Sequence, residues 1–432
     1  MATWTDPAEV ATAVLELLRE DRFDELASLF GSALAAAVSA DTIRVAWTAE
    51  TAKIGEIQAI GQTVLEPADD GTVRAKVPVT GSAGGLVVRM AVDSAGLLRG
   101  FRLAPADESA WRPPRYASPR RFTEREVSVE SGSYTVPGTL TVPKGRGRKP
   151  ALVLVSSGAM DRDVTTGPNK PFKDLAWGLA SRGIAVLRFD KVNYVHPELN
   201  HEHGFTMVEE YLPSATAAVR LLRQEPGIDP HRVYVAGHSG GGKAAPRIAA
   251  AEPGVAGVVI LAGDTVPMTR AALRVTDYIA GLDPQRDFRA QLAAVARAVA
   301  MTESPALSPE TPASALLFGM PASYWLDMRA YDQVATAAAL AKPILILQGG
   351  RDYQVTVADD LPRWQQGLAG RADATIRVLD ADDHMFYPGT GPSVPSDVEQ
   401  PNHVDAAAVA AIAQWIAPES ERGLLSGLLN RR

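Results

Sequence analysis

The pentapeptide Gly237-His238-Ser239-Gly240-Gly241 is the strongest chemical signal in the sequence. It has the form Gly-x-Ser-x-Gly, the strand-like segment 233–236 precedes it, and the helix-like segment 242–251 follows it. A sharp strand-to-helix turn can lift a serine above a sheet as a nucleophile, and small neighbours let the strand and helix pass close together. A glycine-rich phosphate loop is the alternative for such a motif. The strand before it and the helix after it favour the nucleophile.

Two further residues supply what a serine nucleophile needs. A serine hydroxyl requires a base, and a histidine base requires a carboxylate that orients its ring. Where the serine lies on such a turn, the acid and then the histidine follow it along the chain. Asp352 comes after the apolar segment 344–347, and His384 comes after the segment 376–379. We therefore predict Ser239, Asp352 and His384 as a catalytic triad, with a cap or loop role as the alternative for Asp352.

Acyl transfer also requires hydrogen-bond donors for the negatively charged oxygen of the tetrahedral intermediate. The backbone N–H of Gly240, directly after the nucleophile, is one expected donor. The second is expected from the loop at 156–159, which reads Ser-Ser-Gly-Ala and follows the apolar segment 151–155. We favour the backbone of Ser157, with the next two residues as alternatives by register and an ordinary strand–helix loop as the structural alternative.

The composition excludes several kinds of chemistry. The chain has 432 residues, a net charge of -7 and no cysteine. Without cysteine it has no disulfide, thiolate metal site or cysteine nucleophile. A mildly acidic chain has no electrostatic reason to bind nucleic acid or an anionic membrane, and no apolar run reaches the roughly 18 residues that span a bilayer. The N-terminus does not read as a secretory signal. We expect a cytoplasmic protein with no metal and no cofactor.

Strand-like and helix-like segments alternate from residue 124 onward. This alternation predicts an α/β domain with a mostly parallel, doubly wound sheet covered by helices on both faces. The continuous apolar run 151–155 is typical of a buried parallel strand, and a capping box at 206–209 marks the start of a helix. We expect this domain to span residues 124–417, with a C-terminal tail at 418–432.

Residues 1–105 predict a small α+β domain. The segment Asp6-Pro7-Ala8-Glu9 is typical of a helix start, and a second amphipathic helix is expected over 23–38. Short alternating segments between residues 55 and 103, separated by Gly-rich or Asp-Gly turns, predict an antiparallel meander. The role of this domain stays open between capping the site, dimerisation and stabilisation, so a homodimer is compatible with the sequence.

Two segments fall outside these patterns. Residues 106–123 are rich in proline and charge and predict a linker, whose Trp111 we expect to pack across the domain junction. Residues 264–341 interrupt the strand–helix alternation and predict a largely helical lid over the site. Tyr324 and Trp325 of this lid are candidates for the wall of the substrate pocket, with packing inside the lid as the alternative.

Several stretches resemble a subgroup of bacterial carboxylesterases in the α/β-hydrolase superfamily. The similar stretches are 157–163, 169–176, 183–191 and 348–355. The resemblance covers residues 124–417 well and the N-terminal part loosely, and some members of the subgroup carry a small N-terminal domain of unassigned role. It implies the α/β-hydrolase fold, the same triad and no cofactor. The subgroup usually has Gly-Ser-Gly-Pro where this chain has Ser-Ser-Gly-Ala at 156–159, which leaves the second oxyanion donor open.

The first functional hypothesis is therefore hydrolysis of a carboxylic ester of a small molecule through an acyl-enzyme. A thioesterase, or an acyltransferase or cyclase of a biosynthetic pathway, would use the same triad with another acyl donor or acceptor. A peptidase is less favoured, because no acidic pair suited to holding a peptide amine is evident. A non-catalytic binding module is disfavoured, because serine, acid and histidine are all present in the required order.

Overall fold

A computed structural model of the protein describes residues 5–68, 71–105, 111–285 and 287–418. The chain divides into two compact units, Met1–Ala110 and Trp111–Arg432. Among the described residues, no helix combines the length and apolar character needed to cross a membrane. The tail expected at 418–432 lies outside the described residues except for its first position.

The N-terminal unit begins with four helices, where the sequence predicted two. They are α1 (Pro7–Arg19), α2 (Phe23–Ala27), α3 (Ser32–Ala37) and α4 (Ala40–Ile54). The expected single helix over 23–38 is wrong because the chain between α2 and α3 pairs with Leu98. The N–H of Leu98 donates to the carbonyl of Leu29, and the N–H of Gly31 donates to the carbonyl of Leu98, each at 2.8 Å. Sequence analysis missed α4 because few of its side chains are buried.

An antiparallel sheet completes this unit. Its strands are β1 (Ile57–Ile60), β2 (Val64–Pro67), β3 (Val73–Gly81), β4 (Gly85–Val92) and β5 (Leu98–Pro105). Strands β1 and β2 pair with successive parts of β3, and β3, β4 and β5 follow one another in the sheet. Alternate residues of β3 and β4 are buried together with one face of α1, so this unit has a hydrophobic core of its own.

The second unit contains an eight-stranded sheet. Its strands are β6 (Phe122–Ser131), β7 (Tyr134–Pro143), β8 (Lys149–Val155), β9 (Ala185–Phe189), β10 (Ile228–His238), β11 (Val258–Leu261), β12 (Ile344–Gly349) and β13 (Ala374–Leu379). The order is β13-β12-β11-β10-β8-β9-β7-β6. Strands β6 and β7 form an antiparallel hairpin, and β8 to β13 are parallel. This is the mostly parallel α/β sheet that the sequence predicted.

Helices cover both faces of this sheet. They are α5 (Pro171–Ala180), α6 (Val192–Val195), α7 (Met207–Gln224), α8 (Gly240–Ala251), α9 (Met268–Leu282), α10 (Arg289–Glu303), α11 (Ala322–Ala330), α12 (Gln333–Ala339), α13 (Leu361–Gly367) and α14 (Ala406–Ile416). One hydrophobic cluster joins the sheet to α7 and α8, and a second joins its other face to α5 and α14. The central parallel strands β11 and β12 are almost entirely apolar because they are buried on both faces.

Helices α9 to α12 form the insertion between β11 and β12, in the region where the sequence predicted a largely helical segment. The insertion has a small core of its own, built around Val299, Leu316, Leu317 and Trp325. The segment therefore does not depend only on the sheet for apolar burial.

The segment that precedes β6, residues 111–121, is packed against the rest of the second unit. The indole N–H of Trp111 donates to Asp174 at 2.8 Å, and its ring meets Trp177 edge-on with centroids 4.9 Å apart. The hydroxyl of Tyr116 donates to the carbonyl of Val404 at 2.7 Å. Trp111 thus anchors residues 111–121 on the second unit, whereas residues 106–110 of the expected linker lie outside the described part of the chain.

We expect Val14→Ala to destabilise the N-terminal unit, and we expect Val45→Ala to leave its stability unchanged. Val14 of α1 is fully buried, whereas Val45 of α4 is 59% exposed. Removing the buried side chain should cost this unit about 2 kcal/mol. Hydrogen exchange of the β3 and β4 amides by global opening would then be about 30-fold faster in Val14→Ala alone. Equal exchange rates in the two variants would contradict the assignment of this core.

Candidate active site

Ser239 occupies a strained turn between a strand and a helix. Strand β10 ends at His238, α8 begins at Gly240, and Ser239 between them has φ 56° and ψ -120°. A side chain in this left-handed region is strained, and such strain is held only where the surrounding structure enforces it. The N–H of Ser239 donates to the carbonyl of Leu261 in β11 at 2.9 Å. These features are those of a nucleophile turn above a parallel sheet.

The glycines of the motif are required by close backbone contacts. A Cβ atom at Gly237 would lie 1.9 Å from the carbonyl oxygen of Gly241. A Cβ atom at Gly241 would lie 2.2 Å from the carbonyl oxygen of Val155 in β8. Strand β10 and helix α8 therefore approach each other and β8 too closely for any side chain at these two positions, as the sequence predicted.

Asp352 and His384 are joined directly. Nδ1 of His384 lies 2.8 Å from Oδ2 of Asp352. The other carboxylate oxygen of Asp352 accepts the backbone N–H groups of Gln354 at 2.8 Å and Val355 at 2.9 Å. The side-chain amide of Gln348 donates to Oδ2 at 3.2 Å. Asp352 is thus fixed at the end of β12 by donors on several sides, with its charge directed at the imidazole.

The surroundings of His384 favour its protonated form. Burial acts to lower its pKa, but the charge and hydrogen bond of Asp352 more than offset this, and the pKa is raised above the ordinary value of 6.5. Further negative charge from Asp383 and Asp264 acts in the same direction. The imidazole is therefore a stronger base than a free histidine.

His238 connects the nucleophile turn to the loop that carries His384. Its Nε2 lies 2.8 Å from the carbonyl oxygen of His384, and the two ring centroids are 4.8 Å apart. Burial and the nearby positive charge of His384 lower the pKa of His238 to about 3. His238 is thus neutral, and its Nε2–H donates to the carbonyl. Sequence analysis missed this contact, for which the motif gives no signal.

The loop around His384 is held by carboxyl groups. Oδ1 of Asp383 accepts the N–H groups of Met385 at 2.8 Å and Tyr387 at 2.9 Å. The adjacent Asp382 has no exposed surface, and burial together with the charge of Asp405 raises its pKa to about 8. Asp405 caps α14, since its side chain accepts the N–H of Ala407. The N–H of Asp405 also donates to the carbonyl of Phe386 at 2.8 Å, so the base is carried on a loop tied to the start of the last helix.

A cavity of about 360 Å³ lies beside the nucleophile turn. The predicted oxyanion residues Gly240 and Ser157 both line it, as do the alternatives Gly158 and Ala159. Most of the remaining wall is apolar and includes Phe205, Phe318, Pro321, Met207, Met268, Met320 and Met328. The cavity can therefore accept a largely apolar group next to the serine.

The two candidate pocket residues of the insertion are placed differently. Tyr324 lines the cavity, and its hydroxyl donates to Glu210. Trp325 is buried in the core of the insertion and borders a neighbouring cavity. Trp325 therefore does not line the cavity beside Gly240, and its role in a substrate pocket stays a prediction. Adjacent residues of α11 are rotated by about 100° around the helix axis, so the two side chains point in different directions.

Several charged groups of the site were missed by sequence analysis. Lys191 and Glu210 form an ion pair of 3.2 Å, with both side chains almost fully buried. Lys243, one turn beyond the nucleophile in α8, pairs with Asp264 at 2.5 Å. Glu210 and Lys243 line the cavity. The sequence signal for this pair is a lysine in the first turn of the helix after the serine, because a lysine close to a buried turn needs a partner.

The chain is similar in sequence to a named esterase. No family model matches the chain. Esterase EstD from Thermotoga maritima is 34% identical over 326 residues, which is 75% of each chain. Among solved structures, an esterase from Pyrobaculum calidifontis has 14% identity and a TM-score of 0.46, covering 69% of this chain and 86% of that one. An esterase from Pyrococcus furiosus has 15% identity and a TM-score of 0.44, with coverages of 71% and 97%.

The chain belongs to the α/β-hydrolase superfamily. Within that superfamily it belongs to the esterase family that includes esterase EstD, at 34% identity over three quarters of both chains. The membership rests on this relative, because the similarities to solved structures are weaker.

We expect the activity of the site to fall as the pH decreases through the raised pKa of His384, because the base must be unprotonated to accept the serine proton. Asp352→Asn should move this acidic limb to lower pH, since it removes the negative charge that raises the pKa. It should also reduce kcat by on the order of 10⁴-fold by disturbing the imidazole tautomer.

A pH–rate profile of kcat/KM checks this expectation. Asp359→Asn is the control, because Asp359 is half-exposed on the same segment and pairs with Arg274 instead. A wild-type profile that stays flat down to pH 4.5 would exclude a histidine base.

Proposed function

We propose that the protein is a serine esterase that cleaves a carboxylic ester through an acyl-enzyme intermediate. The observation that carries this proposal is the buried hydrogen bond between His384 and Asp352, on a loop whose backbone His238 ties to the strained turn of Ser239. A lone serine turn would serve other roles, whereas an oriented base beside it supports nucleophilic catalysis. Similarity to a named esterase adds to this support.

In the proposed reaction, Oγ of Ser239 attacks the ester carbonyl carbon while Nε2 of His384 takes the hydroxyl proton. The N–H of Gly240, at the start of α8, stabilises the oxyanion that forms. Collapse of the tetrahedral intermediate breaks the bond to the alkoxy oxygen, and His384 gives its proton to the leaving alcohol. Water then attacks the acyl-enzyme by the same steps, releasing the acid and restoring Ser239. Asp352 holds the imidazole in the required tautomer throughout.

We expect Ser239→Ala to abolish turnover of p-nitrophenyl esters while the protein stays folded. Loss of the nucleophile in such a triad costs on the order of a million-fold in kcat. Fluorophosphonate labelling, followed by mass spectrometry, should modify Ser239 in the wild type and nothing in the variant.

Ser131→Ala is a matched control. Ser131 is a buried serine of β6, at the far edge of the sheet from β10. This control should retain both labelling and turnover. If Ser239→Ala kept a tenth of the wild-type rate, the proposed nucleophile would be wrong. Wild-type turnover of acyl thioesters much faster than that of matched esters would favour a thioesterase instead.

We also propose that the insertion serves as a lid that sets acyl-chain preference. Six of its residues lie in the cavity wall and support this role: Met268, Phe318, Met320, Pro321, Tyr324 and Met328. Each buried methylene contributes about 0.8 kcal/mol, so the room available for the chain affects selectivity several-fold.

We expect Met320→Ala to raise kcat/KM for octanoyl relative to butanoyl p-nitrophenyl esters several-fold, because it lengthens the cavity. Met301→Ala is the control, since Met301 lies in α10 of the same insertion and is 46% exposed outside the cavity wall. The measured quantity is the octanoyl-to-butanoyl ratio. An equal ratio in the two variants would show that the insertion does not set acyl-chain preference.

A further inference from the structure

Two hydroxyl groups occupy the space that a side chain at residue 240 would fill. A Cβ atom placed on Gly240 would lie 2.8 Å from Oγ of Ser157 and 2.9 Å from the hydroxyl oxygen of Tyr211. Both groups therefore pack against the residue whose N–H is the expected oxyanion donor. Tyr211 comes from α7, not from the oxyanion loop, and it also lines the cavity.

Buried charges hold the Tyr211 ring in place. The ammonium of Lys191 lies 3.3 Å from the centroid of this ring. The same ammonium contacts the carboxylate of Glu210 at 3.2 Å and its backbone carbonyl at 3.1 Å. Glu210 in turn accepts the hydroxyl of Tyr324. The phenol is thus fixed before any substrate binds, which is the condition for effective electrostatic stabilisation of a transition state.

The hydroxyl of Tyr211 keeps its proton. Burial is the largest cause that raises the pKa of Tyr211 well above 10, and Gly158 and Ser157 beside the phenol act in the opposite direction. A neutral phenol carries one hydrogen-bond donor, its own O–H. Because this side chain lines the cavity beside Gly240, the O–H is available to a group bound there.

We propose that the hydroxyl of Tyr211 is a donor of the oxyanion hole, acting beside the N–H of Gly240. This inference rests on the proposed esterase function and names a group in the same site. The phenol donates a hydrogen bond to the carbonyl oxygen as that oxygen becomes negative, and no proton is transferred.

Tyr211→Phe tests the proposal, because it removes one oxygen and leaves the ring over Lys191. We expect kcat/KM for a p-nitrophenyl ester to fall about 100-fold, mostly in kcat, as for the loss of one oxyanion donor. The affinity for an alkyl trifluoromethyl ketone, which forms a tetrahedral oxyanion on Ser239, should fall by a similar factor. Tyr116→Phe, which also loses one hydrogen-bonded hydroxyl of this unit, should change neither quantity.

A double-mutant cycle separates this role from general damage. In Gly240→Ala the new Cβ would displace the phenol hydroxyl, so this variant should lose activity in the wild-type background. In the Tyr211→Phe background, Gly240→Ala should lower kcat/KM by less than about a further threefold, because the two substitutions remove the same interaction. Losses that simply multiply would overturn the proposal.

Two results distinguish this inference from the proposed function. If Ser239 is labelled by fluorophosphonate and Tyr211→Phe keeps kcat/KM and ketone affinity within twofold of wild type, the inference is wrong and the esterase proposal stands. If Tyr211→Phe lowers kcat/KM but leaves the ketone affinity unchanged, the hydroxyl does not contact the oxyanion, and the inference is likewise overturned. Retained turnover in Ser239→Ala would instead remove the esterase proposal on which it rests.

Discussion

The left-handed backbone at Ser239 is the constraint on which the rest of the second unit depends. Strain at this residue persists because β10 and α8 are held in contact by glycine on both sides and by the bond from Ser239 to β11. A residue in this conformation costs on the order of 1–3 kcal/mol. The parallel sheet, buried on both faces, supplies the rigidity that maintains it. The sharp turn also places Gly240, the first residue of α8, in the wall of the cavity.

The serine and the base are connected through backbone as well as side chains. His238 reaches the carbonyl of His384, so a shift of the nucleophile turn would also disturb the loop that carries the base. A neutral imidazole suits this contact, because a charged one would compete with His384 for the field of Asp352. The two adjacent imidazoles thus have opposite pKa shifts: the pKa of His238 is lowered and the pKa of His384 is raised.

The chemistry of the site could be predicted from the sequence only where a local pattern carries it. Ser239 lies in a motif whose backbone geometry is fixed by neighbours in the chain, and strand ends indicated Asp352 and His384. Tyr211 has no such pattern, because it lies on the buried face of an amphipathic helix and reads as core. The sequence likewise gave no sign that Trp325 would lie outside the wall of this cavity, since an aromatic residue in an insertion carries no information about its rotation around the helix. Contacts between distant segments decide both cases.

The apolar wall of the cavity also bears on how the protein tolerates oxidants. The chain has no cysteine and nine methionines, so its thioethers are its sulfur groups, and four of them face the cavity. Thioether side chains are flexible and adapt to acyl groups of different shapes. Conversion of any of the four to a sulfoxide would place a polar, chiral group against the bound chain. The methionine side chains that let this cavity adapt to different acyl groups are therefore also the groups whose oxidation would change how it binds them.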